Sequence, residues 1–305
     1  MNLHNNKELF NDYLLATTDF FGFSDVGIIE KDYFIVYFLK KIIEKQPNIV
    51  FAGGTSLSKC YKLIKRFSED IDLNLNTEAA RVTEGQRKQL KRDIVSIIED
   101  SGFSLENADQ IRSRRDSNRY VIDYKSLNSF DYLKQYLVVE TSVFIKSFPS
   151  EIKDISCLIY DFMLEKNLEN EVIKYDLKPY SLRVQSLVRT FIDKVFALAD
   201  YYLNGQIKNH SRHIYDIHCI YPKITFNTEF TALVEKVRDV RKKNAIYLSA
   251  KDDIDLPEIL RKIIIEKIYE SDYNQVTRIL LFEDVSYENA IETIQNLIDD
   301  GYFKV

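Results

Sequence analysis

Two aspartates in this sequence are spaced so that they could share a cation. Asp70 and Asp72 belong to a run that alternates polar and apolar side chains. On a strand both carboxylates would leave the same face, with Cβ atoms about 7 Å apart. Two like charges held this way repel each other, and a divalent cation relieves the repulsion. Mg²⁺ (or Mn²⁺) bound by few carboxylates keeps positions open for triphosphate oxygens and an attacking hydroxyl, so the pair predicts metal-assisted phosphoryl transfer.

A pair of glycines precedes the aspartates and could hold an anion. Gly53 and Gly54 follow an apolar run and open a stretch with helical spacing, where close backbone approach and unpaired N–H groups favour phosphate. Thr55 and Ser56 would add hydroxyl donors, and Lys59 lies one helical turn further on. The loop is neither a Walker A motif nor Gly-x-Gly-x-x-Gly. Alone, the glycine pair is explained by a turn and the aspartate pair by a solvated strand face. The two motifs in this order predict nucleotide binding.

Local periodicity predicts the elements that position these residues. Residues 55–66 have the spacing of a helix with one apolar side. Residues 71–75 alternate strictly, which predicts a strand whose apolar residues face the core while Asp70, Asp72 and Asn74 face away. The two carboxylates would then stand on an accessible face, close to the start of the helix.

The rest of the chain predicts an α+β architecture with two domains. Further strands are predicted at residues 119–124 and 135–144, so residues 1–178 would form a lobe with a mixed sheet flanked by helices. Residues 179–305 have helical periodicity and no strand pattern, which predicts a helical C-terminal domain that completes the active-site cleft.

Composition excludes several classes of protein. The chain has 305 residues, of which 45% are hydrophobic and 29% charged, and its net charge of −5 does not indicate a wholly basic nucleic-acid binder. Cys60, Cys157 and Cys219 form no Cys-x-x-Cys pair, which argues against a disulfide framework or a zinc ribbon. With no apolar signal region and no run near 18 apolar residues, we expect a cytoplasmic protein with no membrane segment.

These motifs resemble a known family. Residues 51–59, Phe-Ala-Gly-Gly-Thr-Ser-Leu-Ser-Lys, and residues 66–73, Arg-Phe-Ser-Glu-Asp-Ile-Asp-Leu, resemble the first motif of the AbiEii/AbiGii toxin family of nucleotidyltransferases. That family belongs to the DNA polymerase β-like superfamily. Residues 189–194 resemble the family's helical segment with its lysine, and residues 211–217 resemble its R-x-x-Y-D segment. Many members have aspartate directly after this arginine, where this chain has His213.

The resemblance implies roles for residues that spacing alone leaves open. It implies a polymerase β-like N-terminal lobe, a Lys194 that reaches the triphosphate, and an Asp216 that orients the lysine or the acceptor. The superfamily usually has a third carboxylate on a neighbouring strand, and both Glu140 and Asp123 are candidates. Glu140 is favoured because an unpaired charge in its otherwise apolar strand would be costly. Asp70, Asp72 and Glu140 would then bind the metal.

The function implied is transfer of a nucleoside monophosphate from an NTP to an acceptor hydroxyl. Gly53, Gly54, Thr55 and Ser56 would hold the phosphates. The resemblance further implies the toxin of a bacterial type IV-like toxin–antitoxin or abortive-infection system, with a separate antitoxin protein and, in some members, tRNA as acceptor. Basic residues at 112–115 and 236–243 are where RNA phosphates would be expected. The alternatives are a non-catalytic nucleotide-binding regulator and an interaction protein with a structural metal.

Overall fold

The chain folds into two compact units. The sheet unit comprises Met1–Cys60 and Ser68–Val184, and the helical unit comprises Tyr61–Phe67 and Gln185–Val305. The computed structural model describes residues 1–75, 82–113, 115–128, 134–144 and 146–304.

Among the described residues, seven strands form one mixed sheet. Its order is β3-β4-β5-β2-β1-β7-β6. β2 lies between β1, which is antiparallel to it, and β5, which is parallel to it, so the strand that carries Asp70 and Asp72 is central. The strands are β1 (Ile49–Ala52), β2 (Asp70–Leu75), β3 (Ser104–Leu105), β4 (Ser117–Asp123), β5 (Leu137–Ser142), β6 (Ser150–Ile155) and β7 (Tyr180–Gln185).

The helices of the sheet unit surround one long buried helix. This helix, α2, runs over Val26–Lys45 and contacts α1, α4 and α5, so its apolar residues lie in the core on most sides. Polar caps fix the helix starts: Asp25 caps α2, and Thr83 with Gln86 forms a capping box on α4. The other helices are α1 (Lys7–Phe21), α3 (Gly53–Lys59), α4 (Glu84–Asp100), α5 (Leu158–Glu165) and α6 (Glu169–Lys174).

The helical unit is organised around a nearly fully buried helix. This helix, α7, spans Leu187–Leu203, is capped by Ser186, and contacts α8, α9 and α10. No helix in the described part of the chain is long and apolar enough to cross a membrane. The other helices are α8 (Arg212–Ile220), α9 (Thr228–Lys242), α10 (Leu256–Glu266), α11 (Glu270–Asp272) and α12 (Tyr287–Asp300).

Three sequence-based expectations about elements were wrong. The helix expected over residues 55–66 is α3, which ends at Lys59. The sequence predicts no strand after residue 179, yet β7 occupies Tyr180–Gln185, and Ser186 then caps a separate helix. Asn74 does not face solvent with the aspartates, because it is 8% exposed and its Nδ2 donates to Ser147 Oγ at 2.8 Å. The strand expected over residues 71–75 is confirmed as β2.

Residues 61–67, here called the linking segment, belong to the helical unit although they follow α3. Main-chain hydrogen bonds join the segment to residues 280–282: Phe67 N donates to Leu280 O at 3.0 Å, and Phe282 N donates to Lys65 O at 2.8 Å. Tyr215 fastens it further, since its hydroxyl accepts from Lys65 N at 3.0 Å and donates to Glu283 Oε1 at 2.7 Å. These long-range bonds replace the helical ones that the local sequence predicts.

We expect Tyr215→Phe to destabilise the helical unit by about 1–3 kcal/mol, because it removes two part-buried hydrogen bonds, one from Lys65 N and one to Glu283. Urea unfolding followed by circular dichroism measures the loss. The matched control is Tyr221→Phe, which removes a surface hydroxyl that donates to Asp300 and should change stability by less than about 0.5 kcal/mol. Equal losses in the two variants would show that the Tyr215 hydroxyl does not fasten the linking segment.

Candidate functional site

The aspartates of β2 lie in a row of charged side chains across the sheet unit. Asp72 is in register with Ala52 on β1 and with Glu140 on β5, and Glu140 is in register with Arg119 on β4. Directly opposed residues on neighbouring strands share a face. Asp72, Glu140 and Arg119 therefore lie side by side, and Asp70 lies one pleat further along the same face.

Gly53 lies directly against the Asp72 carboxylate. Gly53 has a φ of +74°, and a Cβ added there would lie 1.8 Å from Asp72 Oδ2. Both the backbone angle and the missing side chain are therefore required at this position. The glycine pair brings the start of α3 close to the β2 carboxylates, as the spacing of the two motifs predicted.

The hydroxyls of Thr55 and Ser56 make internal hydrogen bonds. Thr55 is 1% exposed, and its Oγ1 donates to the main-chain oxygen of Asp70 and lies 2.9 Å from Ser68 Oγ. Ser56 is fully buried, and its Oγ donates to Gly53 O at 2.8 Å. The Thr55 hydroxyl thus holds α3 against β2, and the Ser56 hydroxyl closes the first turn of α3, which leaves the main chain of Gly53 and Gly54 as the accessible part of the loop.

Lys59 is engaged elsewhere in the sheet unit. Its ammonium forms an ion pair with Asp32 on α2, and both side chains are nearly buried. The second Asp32 oxygen accepts from Leu158 N at 2.6 Å. In this structure Lys59 anchors α3 to α2 and does not extend toward the β2 carboxylates.

Asp70 has an unsatisfied oxygen. Its Oδ1 is buried and accepts no hydrogen bond from the described residues, while Lys134 Nζ lies 3.7 Å away. The neighbouring Glu69 pairs with Lys31 and, at 3.2 Å, with Lys134. Burial alone would raise the pKa of Glu69, but these two lysines outweigh burial and hold the pKa below its usual value. Cations therefore keep Glu69 ionised next to Asp70.

The β2 carboxylates fit a divalent cation that also takes ligands from a substrate. No group of three or more His, Cys, Asp or Glu side chains in the described ranges is placed as a ready-made metal cage. Mg²⁺, however, is commonly held by one or two carboxylates together with phosphate oxygens and water. The buried Asp70 Oδ1 with no donor is the kind of atom that such a cation would satisfy.

The two candidates for the third carboxylate occupy different strands. Glu140 is on β5, directly opposite Asp72, and its Oε1 lies 3.3 Å from Arg119 Nε in a pair that is about half exposed. Asp123 ends β4, which β5 separates from β2, and its Oδ1 accepts from Lys125 N at 2.8 Å. The sheet order therefore brings Glu140, and not Asp123, next to the aspartates.

In the helical unit, Asp216 binds two cations. It is fully buried and accepts from Arg66 Nε at 2.7 Å, from Arg66 Nη2 at 2.8 Å and from Lys194 Nζ at 2.5 Å. Burial alone would raise the pKa of Asp216, but the two cations hold it well below its usual 3.8. Burial, aided by Arg66 and opposed by Asp216, lowers the pKa of Lys194. The structure thus brings Lys194 and Asp216 into direct contact.

Two arginines of the basic stretch at 236–243, expected near an RNA acceptor, are used in internal contacts. Arg241 is buried and pairs with Asp193 at 3.1 Å and Asp200 at 2.7 Å. Arg238 donates to main-chain oxygens of residues 250–254. Arg114 lies outside the described residues. The stretch at 236–243 therefore contributes at least two structural arginines to the helical unit.

Sequence reasoning gave no role to Arg66, Glu69 or Lys134. The Arg-x-Ser-x-Asp-x-Asp spacing from Arg66 to Asp72 was visible in the sequence and could have drawn attention to the arginine. Lys134 is far from any motif, and only the sheet brings it to Asp70.

Comparison with known proteins identifies the family. The family model described as "Nucleotidyl transferase AbiEii toxin, Type IV TA system" matches residues 38–295. The chain belongs to the AbiEii family. This AbiEii protein also resembles the solved structure of MenT4, a nucleotidyltransferase toxin from Mycobacterium tuberculosis H37Rv. The TM-score is 0.57 at 15% identity, over 95% of this chain and 89% of that chain. A sequence search of curated proteins found no match.

The family match and the structural likeness confirm two expectations. The resemblance to AbiEii nucleotidyltransferase toxins of type IV toxin–antitoxin systems is confirmed by the match over most of the chain. The α+β fold with a mixed sheet and a helical C-terminal part is confirmed by the strand order and by the likeness to MenT4.

We expect Gly53→Ala to reduce nucleotidyl transfer by roughly 100-fold or more, because the added methyl group displaces the Asp72 carboxylate. Transfer of label from an NTP measures the effect. Gly22→Ala is the matched control: Gly22 has a similar φ of +71°, but a Cβ there would meet nothing within 4 Å. It incurs the same backbone strain and should keep its activity. Near-normal transfer by the Gly53 variant would contradict the assignment of the Asp72 site.

We expect Asp216→Asn to lower the free energy of unfolding by about 3–5 kcal/mol near neutral pH, because two buried cations lose their anion. The folded-state pKa of Asp216 is depressed, so its contribution is fully present above the usual 3.8 and is lost as the pH falls through the lower folded-state value. Urea unfolding between pH 7 and pH 2 should therefore show a wild-type advantage that stays constant down to about pH 4 and shrinks below it. Asp284→Asn, in a surface pair with Arg278, should show neither effect.

Proposed function

We propose that this AbiEii protein transfers a nucleoside monophosphate from an NTP to an acceptor hydroxyl, in a reaction that requires a divalent cation at Asp70 and Asp72. The observation that carries the proposal is the juxtaposition of Gly53 with Asp72 beside an Asp70 oxygen that has no donor. A phosphate-accessible main chain and a cation-demanding carboxylate pair are the two halves of a nucleotidyl-transfer site.

Each residue of the sheet unit has a distinct part in this proposal. The main chain of Gly53 and Gly54 binds the β- and γ-phosphates, while the Thr55 hydroxyl holds α3 against β2 and the Ser56 hydroxyl bonds to Gly53 within the loop. Asp70 and Asp72 would hold the metal, and Glu140, opposite Asp72 on β5, would be its third protein ligand once the cation is bound. Mg²⁺ or Mn²⁺, when bound, supplies charge neutralisation for the phosphates and favours ionisation of the acceptor hydroxyl. The hydroxyl oxygen then attacks the α-phosphorus in line and pyrophosphate leaves.

Lys194 and Asp216 complete the proposed set. Asp216, Arg66 and Lys194 form a cluster of one carboxylate and two cations, so its net charge is positive. Asp216 can therefore orient the Lys194 ammonium while the cluster stays positive. Family resemblance supports a role of Lys194 at the triphosphate. Lys59 is left out of the set, because the Asp32 ion pair accounts for it.

The biological setting follows from the family. We propose that the acceptor is an RNA, with tRNA as the first candidate, and that a cognate antitoxin protein restrains the activity. The family model's description as the toxin of a type IV system supports this setting.

The function is tested with purified protein, Mg²⁺, total RNA and each of the four α-labelled NTPs. We expect wild type to label RNA, and we expect Asp70→Asn and Asp72→Asn to lose roughly 1,000-fold or more of the activity, because each removes charge from the metal site. Mobility of the labelled RNA and the rate of pyrophosphate release are the measurements.

The same assay separates the two candidates for the third carboxylate. Glu140→Gln should lose activity strongly, while Asp123→Asn, on the strand that does not adjoin β2, should remain near wild type. If wild type binds nucleotide but transfers no label, the proposed transferase activity is wrong and a nucleotide-binding regulator is favoured. Cation-dependent stabilisation with no nucleotide effect would instead indicate a structural metal.

A further inference from the structure

Lys134 is an accessible cation beside the β2 carboxylates. Its Nζ lies 3.2 Å from Glu69 Oε1 and 3.7 Å from Asp70 Oδ1. The lysine side chain is 39% exposed, whereas each of the two carboxylates is 20% exposed. The Lys134 side chain is therefore more accessible from solvent than either carboxylate, and a soluble anion could reach it.

Glu69 holds this lysine in place. One Glu69 oxygen pairs with Lys31, a fully buried lysine of α2, and the other pairs with Lys134. Since Lys31 cannot move to solvent without disrupting α2, the Glu69 carboxylate is fixed. Lys134 is consequently positioned by a carboxylate that it shares with a second lysine.

The charges of this group balance only while Asp70 belongs to it. Lys31 and Lys134 face Glu69 and Asp70, so two cations meet two anions. A divalent cation at Asp70 would take up the charge of that carboxylate. Lys31 and Lys134 would then share Glu69 alone, and the exposed member of the pair would need another anion.

We propose that Lys134 is a substrate-binding residue that exchanges Asp70 for a phosphate oxygen of the nucleotide when the divalent cation binds. This inference rests on the function proposed above. The flexible stem and compact charge of lysine suit such an exchange, because the ammonium can turn toward a new anion while Glu69 keeps hold of it.

The exchange predicts opposite effects on metal and nucleotide. Without nucleotide, Lys134 competes with the metal for Asp70, so Lys134→Gln should tighten Mn²⁺ binding by roughly 3- to 10-fold. With the metal in place, the same variant should weaken binding of a nucleotide by roughly 10-fold or more, because a direct cation–phosphate contact is lost. A residue that only builds the site would weaken both ligands when changed.

Both effects are measured by isothermal titration on the full chain. Mn²⁺ alone is the first probe, and the non-hydrolysable α,β-methylene analogues of the four NTPs, at saturating Mn²⁺, are the second. The matched control is Lys153→Gln on β6: Lys153 is 36% exposed and pairs with Glu151 at 3.1 Å, so it resembles Lys134 in exposure and pairing. Lys134→Arg, which keeps the charge, should restore nucleotide affinity.

Tighter Mn²⁺ binding together with weaker analogue binding in Lys134→Gln, and neither change in Lys153→Gln, supports the exchange. Unchanged or weaker Mn²⁺ binding, or unchanged analogue binding, overturns it. If the proposed function is wrong, the result is different: wild type binds Mn²⁺ but transfers no label to RNA. The Mn²⁺ titration does not depend on that transfer, so the two failures are distinguishable.

Discussion

Two carboxylates on one face of a central strand repel each other, and the sheet unit is arranged around that repulsion. Glu69 adds a third negative charge immediately before Asp70, and a fully buried lysine from α2 is placed against it. A second lysine bridges Glu69 and Asp70 from the solvent side. Even with these two cations, Asp70 keeps one buried oxygen without a donor. This Asp70 oxygen is therefore one defined place in the unit that a further cation would satisfy.

The buried charged cluster of the helical unit has the opposite net charge. There one carboxylate, Asp216, is surrounded by Arg66 and Lys194, so the buried cluster has an excess of positive charge. Arg66 belongs to the linking segment, and Asp70 follows it by four residues. A single short stretch of chain thus supplies the cation that binds Asp216 and the Asp70 carboxylate for which we propose a metal.

Local pattern predicted what depends on local physics. The alternation at 71–75 and the glycines that begin α3 identified β2 and the turn correctly, because side-chain period and backbone angle are properties of a few neighbouring residues. The helix expected over 55–66 was too long because residues 61–67 exchange helical bonds for contacts with residues 280–282. Lys59 and Lys134 could not be assigned for the same reason, since the carboxylates that bind them, Asp32 and Glu69, are distant in sequence.

The chemistry of the glycine loop also limits what this site can distinguish. Thr55 and Ser56 turn their hydroxyls inward, so in the proposed function the loop would present main chain to a phosphate, and Lys134 would present a point charge. Main-chain N–H groups and an ammonium recognise phosphate oxygens, which every NTP carries in the same arrangement. Such contacts contribute affinity and position equally for all four nucleotides. Any preference for one base must therefore come from side chains that contact the base, which none of these phosphate-directed groups does.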